Sequence, residues 1–303
     1  MEQKLRFGVG ILQHDPWEVQ VKRWQSIEAL GFDSVWLADH FVNFMNPNAP
    51  WYEAWTLLAA LATVTSSIRI GTLVSSAPLR NPAVLARQAL TVDHISNGRL
   101  DLGIGAGAPG EMDPVYRMTG IEDWPPRERV DRFREIVEII DQCLRNRVSS
   151  YEGRYYQLKD TAMAPKPVQQ PRPPITIGAM GSSMLKIAAR YADTWNSYGG
   201  EWGAPPDVIV RDTKKRNELL DKYCADIGRD PKTIRRSLLI YGAEAETQFA
   251  SEVNFLEIVK RYHEIGINEF IFFYPFFNQE HVPIFEKIAK NVIPKLRKNG
   301  ITE

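Results

Sequence analysis

Apolar residues in this chain gather in short runs, each followed by a longer stretch in which they recur every three or four positions. The short runs read as strands covered on both faces, the longer stretches as amphipathic helices. Strands are expected at 5–11, 34–38, 69–74, 99–104, 175–177, 194–198, 234–241 and 269–273. Helices are expected at 18–30, 53–64, 82–96, 127–145, 183–191, 207–227, 252–265 and 282–297. Asn81 before Pro82 is an N-cap with proline at the first helical position, and Asn97-Gly98 closes the same helix. An excursion at 151–158, read as a hairpin, and a proline-rich connection at 164–174 interrupt the pattern near the middle.

Eight strand-then-helix units in strict order predict a parallel sheet with right-handed crossovers. The expected class is α/β, a (β/α)8 TIM barrel with loop insertions at the C-terminal face of the strands, forming one domain over 1–303. An open doubly wound sheet has the same periodicity and is the alternative.

Composition narrows the partners. Lys plus Arg equals Asp plus Glu at 37 each, so no net field draws the chain to nucleic acid or to an anionic membrane. No unbroken apolar run is long enough to span a bilayer and no signal core opens the sequence, which gives a cytoplasmic expectation. Cys143 and Cys224 lie far apart without ligand spacing, so no disulfide framework and no metal site is expected.

In this fold the chemistry sits just after the strands. Asp39 and His40 follow the second strand, where a carboxylate and an imidazole are costly unless hydrogen-bonded. A capping Asp beside a core His explains the same letters. Ser75 and Ser76 follow the third strand, the glycines at 105, 107 and 110 the fourth, and Gly178-Ala-Met-Gly-Ser-Ser the fifth. Gly105-x-Gly107-x-x-Gly110 copies the dinucleotide fingerprint by letter, but Pro109 and Glu-Met-Asp-Pro break the helix that motif requires. Glycines there are read as leaving room for a flat ligand, and Gly178–Ser183 as an anion cradle at a helix N-terminus that Ser182 or Ser183 caps. Phe44, Trp51 and Trp202, in loops, are candidates for lining a substrate pocket, with Glu111 nearby in sequence; Trp36, inside a strand, reads as core.

Ala-Asp-His-Phe, Gly-Thr-Leu-Val, Arg-Asn-Pro-Ala-Val-Leu-Ala, Asn-Gly-Arg-Leu-Asp-Leu-Gly-Ile-Gly-Ala-Gly and Ile-Gly-Ala-Met-Gly, in this order, resemble the bacterial luciferase-like superfamily. The Asp-His pair is similar to its deazaflavin (coenzyme F420) branch. The resemblance implies a barrel, often dimeric, that holds F420 or FMN in its mouth. It implies that Asp39 contacts the ring and that His40 donates or accepts a proton. It further implies a non-prolyl cis peptide at Leu73-Val74 supporting the ring beside Ser76, with Gly107 against the cofactor. Gly178, Ala179, Met180 and Gly181 would offer amides to its phosphate. The sequence departs from the F420-dependent sugar-phosphate dehydrogenases: Ala108 stands where they carry an acid, and Phe44 where they carry Trp.

The expected function is a flavin- or F420-dependent oxidoreductase exchanging a hydride with a small organic substrate. The alternatives are an FMN-dependent monooxygenase fed by a flavin or F420 reductase and a non-catalytic flavin-binding barrel. A homodimer is expected from the resemblance alone. A hydrolase is disfavoured because no second carboxylate or metal cluster stands out at the strand ends.

Overall fold

In the computed structural model, which describes residues 4–43, 45–198, 204–276 and 278–301, the apolar runs form short parallel strands. These are β1 (Arg6–Ile11), β2 (Ser34–Leu37), β3 (Arg69–Thr72), β4 (Leu100–Gly105), β5 (Ile175–Gly178), β6 (Thr194–Ser197), β7 (Arg235–Leu239) and β8 (Glu269–Phe273). Nearly every residue in them is buried, as strands covered on both faces require. The helices that follow are α1 (Trp17–Ala29), α2 (Ala54–Val64), α3 (Pro82–Ile95), α4 (Pro126–Arg145), α5 (Ser182–Tyr191), α6 (Pro206–Asp226), α7 (Glu252–His263) and α8 (Val282–Asn291). Strand and helix alternate eight times, the (β/α)8 TIM-barrel class expected from the sequence. Among the described residues no helix is long and apolar enough to cross a membrane.

The chain forms two compact units. One comprises Met1–Ile11, Arg23–Trp36 and Ala179–Glu303. In it β1 pairs with β8, β8 with β7 and β7 with β6, all parallel, with Phe7 opposite Phe270 and Leu238 opposite the same phenylalanine. Phenylalanines fill its core: the rings of Phe255 and Phe272, and those of Phe249 and Phe285, lie 5.0 Å apart.

The other unit comprises Leu12–Lys22 and Leu37–Gly178. Here β4 is central, pairing in parallel with β3, with the two-residue strand Ser75–Ser76 and with β5. The excursion is an antiparallel hairpin, Val148–Glu152 against Gln157–Ala162, its turn amides at Arg154, Tyr155 and Tyr156 donating to the Glu135 carboxylate of α4.

The structure corrects two boundaries and adds two short helices. β3 stops at Thr72 instead of Val74, because the Leu73-Val74 peptide is cis and turns the chain before it re-enters the sheet at Ser75. The polar segment after β4 contains a short helix, Val115–Thr119, which Gly120 ends in the left-handed region. A second short helix, Ala243–Thr247, follows β7. The last helix breaks after Asn291, where Pro294 removes a donor, and resumes as Ile293–Asn299.

Arg99, at the entry to β4, secures the end of α2. Its guanidinium is buried and donates to the carbonyls of Ala62, Thr65, Ile68 and Ser96 and to Thr65 Oγ1, at 2.7 to 3.0 Å. These carbonyls have no helical partner of their own. Arg99→Met should therefore lower unfolding free energy by about 2–4 kcal/mol, since the orphaned acceptors keep their desolvation penalty. A loss below about 0.5 kcal/mol in urea denaturation would show that water replaces the guanidinium at no cost.

Candidate active site

β2 is short, apolar and buried, with Trp36 Nε1 donating to Ser34 Oγ at 2.8 Å, and it delivers the chain to Asp39 and His40. Asp39 is only 3% exposed, so its carboxylate must be paired. Arg80 supplies the charge: Nε reaches Oδ2 at 3.1 Å and Nη2 reaches Oδ1. The Ser76 amide donates to the same Oδ2 at 3.1 Å. Arg80 also donates from Nη2 to Glu53 Oε1 at 2.6 Å, and Glu53 caps α2 by accepting from the amides of Trp55 and Thr56. Burial opposes ionisation of Glu53, yet the hydrogen bonds from Thr56, Arg80 and the cap amides outweigh it and lower its pKa to about 2. Burial likewise works against the charge on Arg80, and its two carboxylate partners reverse the effect and raise its pKa.

The bulge after β3 packs against this network. Leu73 N donates to Leu37 O at 2.8 Å, Thr72 Oγ1 donates to Gly103 O at 3.0 Å, and Trp55 Nε1 donates to Ser75 Oγ at 3.0 Å. Protein neighbours also account for Gly103 and for Gly105 and Gly107, which the sequence suggested were clearing space for a ligand. A Cβ at Gly103 would run into the Thr72 carbonyl, and one at Gly105 would sit 2.5 Å from Val74 Cγ2. Gly107 has φ +81°, and its Cβ would lie 2.7 Å from Pro78 Cδ. Protein neighbours therefore demand these glycines. Gly178 leaves ordinary van der Waals room beside Val74.

His40 is about one-third exposed, and its Nδ1 lies 3.1 Å from Oδ2 of Asp113. Asp113 is buried, and its Oδ1 accepts from the Val115 amide at 3.0 Å. Burial works against ionisation of Asp113, while the hydrogen bonds from His40 and Val115 prevail and hold its pKa below the ordinary value. Trp51 Nε1 donates to His40 O at 2.9 Å, and Gln13 Nε2 donates to Ala38 O at 2.5 Å, so the backbone is pinned on both sides of the Asp-His pair. The loop carrying Asp113 is fixed by Tyr116 OH donating to Ala108 O at 2.7 Å and by Gly110 N donating to Asp123 Oδ2 at 2.9 Å.

The structure thus gathers Asp39, His40, Leu73, Val74, Ser76, Gly107 and Trp51 around one strand end. It adds Arg80, Glu53, Gln13 and Asp113, which the sequence did not single out. Arg80 stands inside the Arg-Asn-Pro-Ala motif, and Asp113 inside the Glu-Met-Asp-Pro segment read only as a helix breaker. Glu111 is exposed, and Asp113, two residues on, is the acid that reaches His40. Phe44 and Trp202 lie outside the described residues.

In the other unit, Ala179 N donates to Asn196 O at 3.2 Å, Trp195 Nε1 donates to Ala179 O at 2.8 Å, and Met180 Sδ accepts from Ser197 Oγ at 3.7 Å. The N-cap of α5 is Gly181, with no side-chain cap, and a Cβ there would meet nothing within 4 Å. The expected serine cap is absent because Ser182 is already helical and its hydroxyl pairs with Tyr223 at 2.5 Å.

A family model described as luciferase-like monooxygenase matches residues 5–291. The chain belongs to that family. It is 28% identical over 318 positions to an F420-dependent glucose-6-phosphate dehydrogenase from Amycolatopsis mediterranei (strain U-32), covering 90% of this chain and 92% of that one. It is 32% identical over 259 positions to a phthiodiolone/phenolphthiodiolone dimycocerosates ketoreductase from Mycobacterium tuberculosis (strain ATCC 25618 / H37Rv), covering 76% of this chain and 63% of that one. The chain spans less than two thirds of the length of several such relatives. A solved F420-dependent secondary alcohol dehydrogenase, in complex with an F420-acetone adduct, superposes with a TM-score of 0.81 at 20% identity, covering 95% of this chain and all of that one. That likeness establishes the fold, and membership of the family makes the chain an oxidoreductase.

Removing Arg80 would leave the Asp39 carboxylate buried without a counter-charge. Arg80→Met should cost about 3–5 kcal/mol of stability, and adding Asp39→Asn should recover part of that loss. Purely additive losses in the double mutant, measured by chemical denaturation, would show that the two residues act independently.

Proposed function

We propose that this protein is an F420-dependent oxidoreductase that moves a hydride between the bound deazaflavin and a small organic substrate, with His40 handling the proton. The observation that carries the reading is the His40–Asp113 pair at the end of β2. A buried carboxylate at Nδ1 orients the imidazole, and about one-third of the ring's surface stays accessible.

The residues fit such a cofactor. The uncapped N-terminus of α5, open at Gly181, suits a phosphate, with the amides of Met180 and Gly181 as donors, the Ala179 amide being taken by Asn196 O. Gln13 Oε1 is a buried acceptor without a partner, beside the Asp-His segment, and suits an N–H or O–H of a bound group. Leu73, Val74, Ser76 and Gly107 form the ring platform, and Asp39 holds it in place through Ser76 and Arg80. Trp51, with Phe44, Trp202 and Glu111, is assigned to the substrate side.

When bound, the deazaflavin would supply the hydride chemistry at the substrate carbon. The His40 imidazole would give or take the matching proton at the substrate oxygen. Asp113 holds Nδ1–H throughout, favours the charged imidazole as the proton arrives and keeps the ring aimed. The platform and the pinned carbonyls of Ala38 and His40 limit drift of the imidazole.

The family's monooxygenase description supports a second reading, in which a partner reductase supplies reduced FMN for reaction with oxygen. Titration with F420 and with FMN separates the two by which cofactor is retained. Resemblance to the family supports a single catalytic domain over 1–303, a homodimer and a cytoplasmic location.

His40→Ala should leave F420 affinity within about threefold and reduce kcat by about 10²–10⁴. Asp113→Asn should lower kcat by less than His40→Ala does, because the imidazole loses the carboxylate that orients it. An unchanged kcat in Asp113→Asn would remove Asp113 from proton handling. The pair's contribution to stability has a definite sign: the Asp113 pKa is depressed on folding, so the contribution is complete above the ordinary carboxylate value of about 3.9 and is lost as pH falls through the lower folded value.

A further inference from the structure

The unit that holds His40 contains a buried guanidinium whose contacts are incomplete. Arg129, in the first turn of α4, is only 7% exposed. Its Nη2 donates to Asp123 Oδ1 and, at 3.1 Å, to Trp124 O, and its Nη1 lies 3.5 Å from Gly107 O. Its Nε is also buried and has no partner among the described residues. The guanidinium carbon sits 5.9 Å from the centre of the Tyr116 ring. For stability alone this is a poor arrangement. A buried cation with one donor unanswered, paired to a carboxylate whose side chain is 42% exposed, does little more than offset its own desolvation.

What the pair does supply is geometry. Asp123 spends its two oxygens on two segments: Oδ1 faces Arg129, and Oδ2 accepts from Gly110 N at 2.9 Å. Gly110 is fitted to that contact, since a Cβ there would lie 2.5 Å from the same Oδ2. Beside it, Ala108 O accepts from Tyr116 OH at 2.7 Å, and Pro109 O accepts from the amides of Met112 and Asp113 at 2.8 and 3.0 Å. The chain is thus tied at Ala108, Pro109 and Gly110 just before Asp113 meets His40 Nδ1 at 3.1 Å. The far end of the loop is anchored as well. Arg132, three residues after Arg129, lies over the rings of Trp124 at 4.7 Å and Tyr155 at 4.4 Å, and Tyr155 belongs to the hairpin turn that Glu135 holds.

We propose that Arg129 and Asp123 are positioning residues: their ion pair sets the loop so that the Asp113 carboxylate stands at His40 Nδ1, and Arg129 acts on the imidazole only through Asp113. The proposal deepens the oxidoreductase reading, on which its kinetic readout rests, while the His40–Asp113 contact itself is followed without cofactor. The tolerance is narrow. A loop shift of about 1 Å takes a 3.1 Å contact out of hydrogen-bond range, and an error of that size in a catalytic group is costly in rate. Without the Arg129 charge, the exposed Asp123 carboxylate is better served by water than by one amide, so Gly110 N loses its acceptor and the segment before Asp113 loses its tie.

The test follows the ring nitrogens of His40 by NMR at one fixed pH, in full-length protein carrying nitrogen-15 histidine, with the signals assigned by their loss in His40→Ala. Arg129→Met and Asp123→Asn should move them in the same direction as Asp113→Asn and by at least about half as much, and Arg129→Lys, which keeps a cation for Asp123, should recover most of that change. In the Asp113→Asn background Arg129→Met should add no further shift, because its route to the ring is already cut. Gly110→Ala, whose methyl would displace Asp123 Oδ2 while leaving both charges in place, serves if loss of Arg129 prevents folding. On the cofactor-loaded enzyme Arg129→Met should lower kcat by no more than Asp113→Asn does, with KM changed less than about twofold, and the double mutant should match Asp113→Asn. Cofactor retention, read by co-elution, tests the oxidoreductase reading separately. The proposal is overturned if the His40 nitrogens stay in place in folded Arg129→Met, Asp123→Asn or Gly110→Ala, if Asp113→Asn itself leaves them in place, or if the effects of Arg129→Met and Asp113→Asn simply add.

Discussion

The carboxylate of Asp39 is the constraint on which the site depends. A charge buried at the end of a strand is tolerated only with a counter-charge and filled hydrogen-bond positions. Meeting that demand draws three separate parts of the chain to one point: the amide of Ser76 on the bulge after β3, the Arg80 guanidinium just before α3, and, through Arg80, the Glu53 cap of α2. The placement of Arg80 is itself local in origin, since the turn Ala77–Leu79 and the Asn81 cap fix the backbone on either side of it. His40, the next residue, inherits a backbone held on both sides by hydrogen bonds from Trp51 and Gln13.

On that frame the imidazole takes its partner from a different loop. Asp113 is 73 residues away in sequence and reaches His40 because the segment after β4 folds back on itself, held by Tyr116 and Asp123. A carboxylate arrives from farther along the loop and meets the ring edge at Nδ1. In that position it holds the imidazole by one ring nitrogen and sets the direction the ring faces.

The β/α alternation was legible in the sequence because burial on both faces and amphipathic spacing are local patterns. Asp39, His40 and the bend at Leu73-Val74 were legible through motif resemblance. The reason for the glycines was not: what a missing Cβ avoids is a tertiary neighbour, and the Thr72 carbonyl, Val74 and Pro78 are invisible from the Gly-Ile-Gly-Ala-Gly letters. Arg80 and Asp113 escaped for a related reason, since each is defined by a partner 41 or 73 positions away and neither has a local spacing that announces it. At Gly181 a serine next door suggested a cap, but the helix begins one residue early and Tyr223 takes that hydroxyl.

The distribution of charge bears on the phosphate site assigned to the N-terminus of α5. A phosphate held by backbone amides at an uncapped helix N-terminus requires no lysine or arginine, because the donors are neutral and the favourable field comes from aligned peptide dipoles. Loops that bind a cofactor in this way can stay free of side-chain cations, and those after β5, β6, β7 and β8 contain none. An enzyme that grips its cofactor phosphate with lysines also presents positive charge to any phosphorylated metabolite that drifts in. A turn of neutral amides would hold an anion by geometry alone and present no side-chain cation to others.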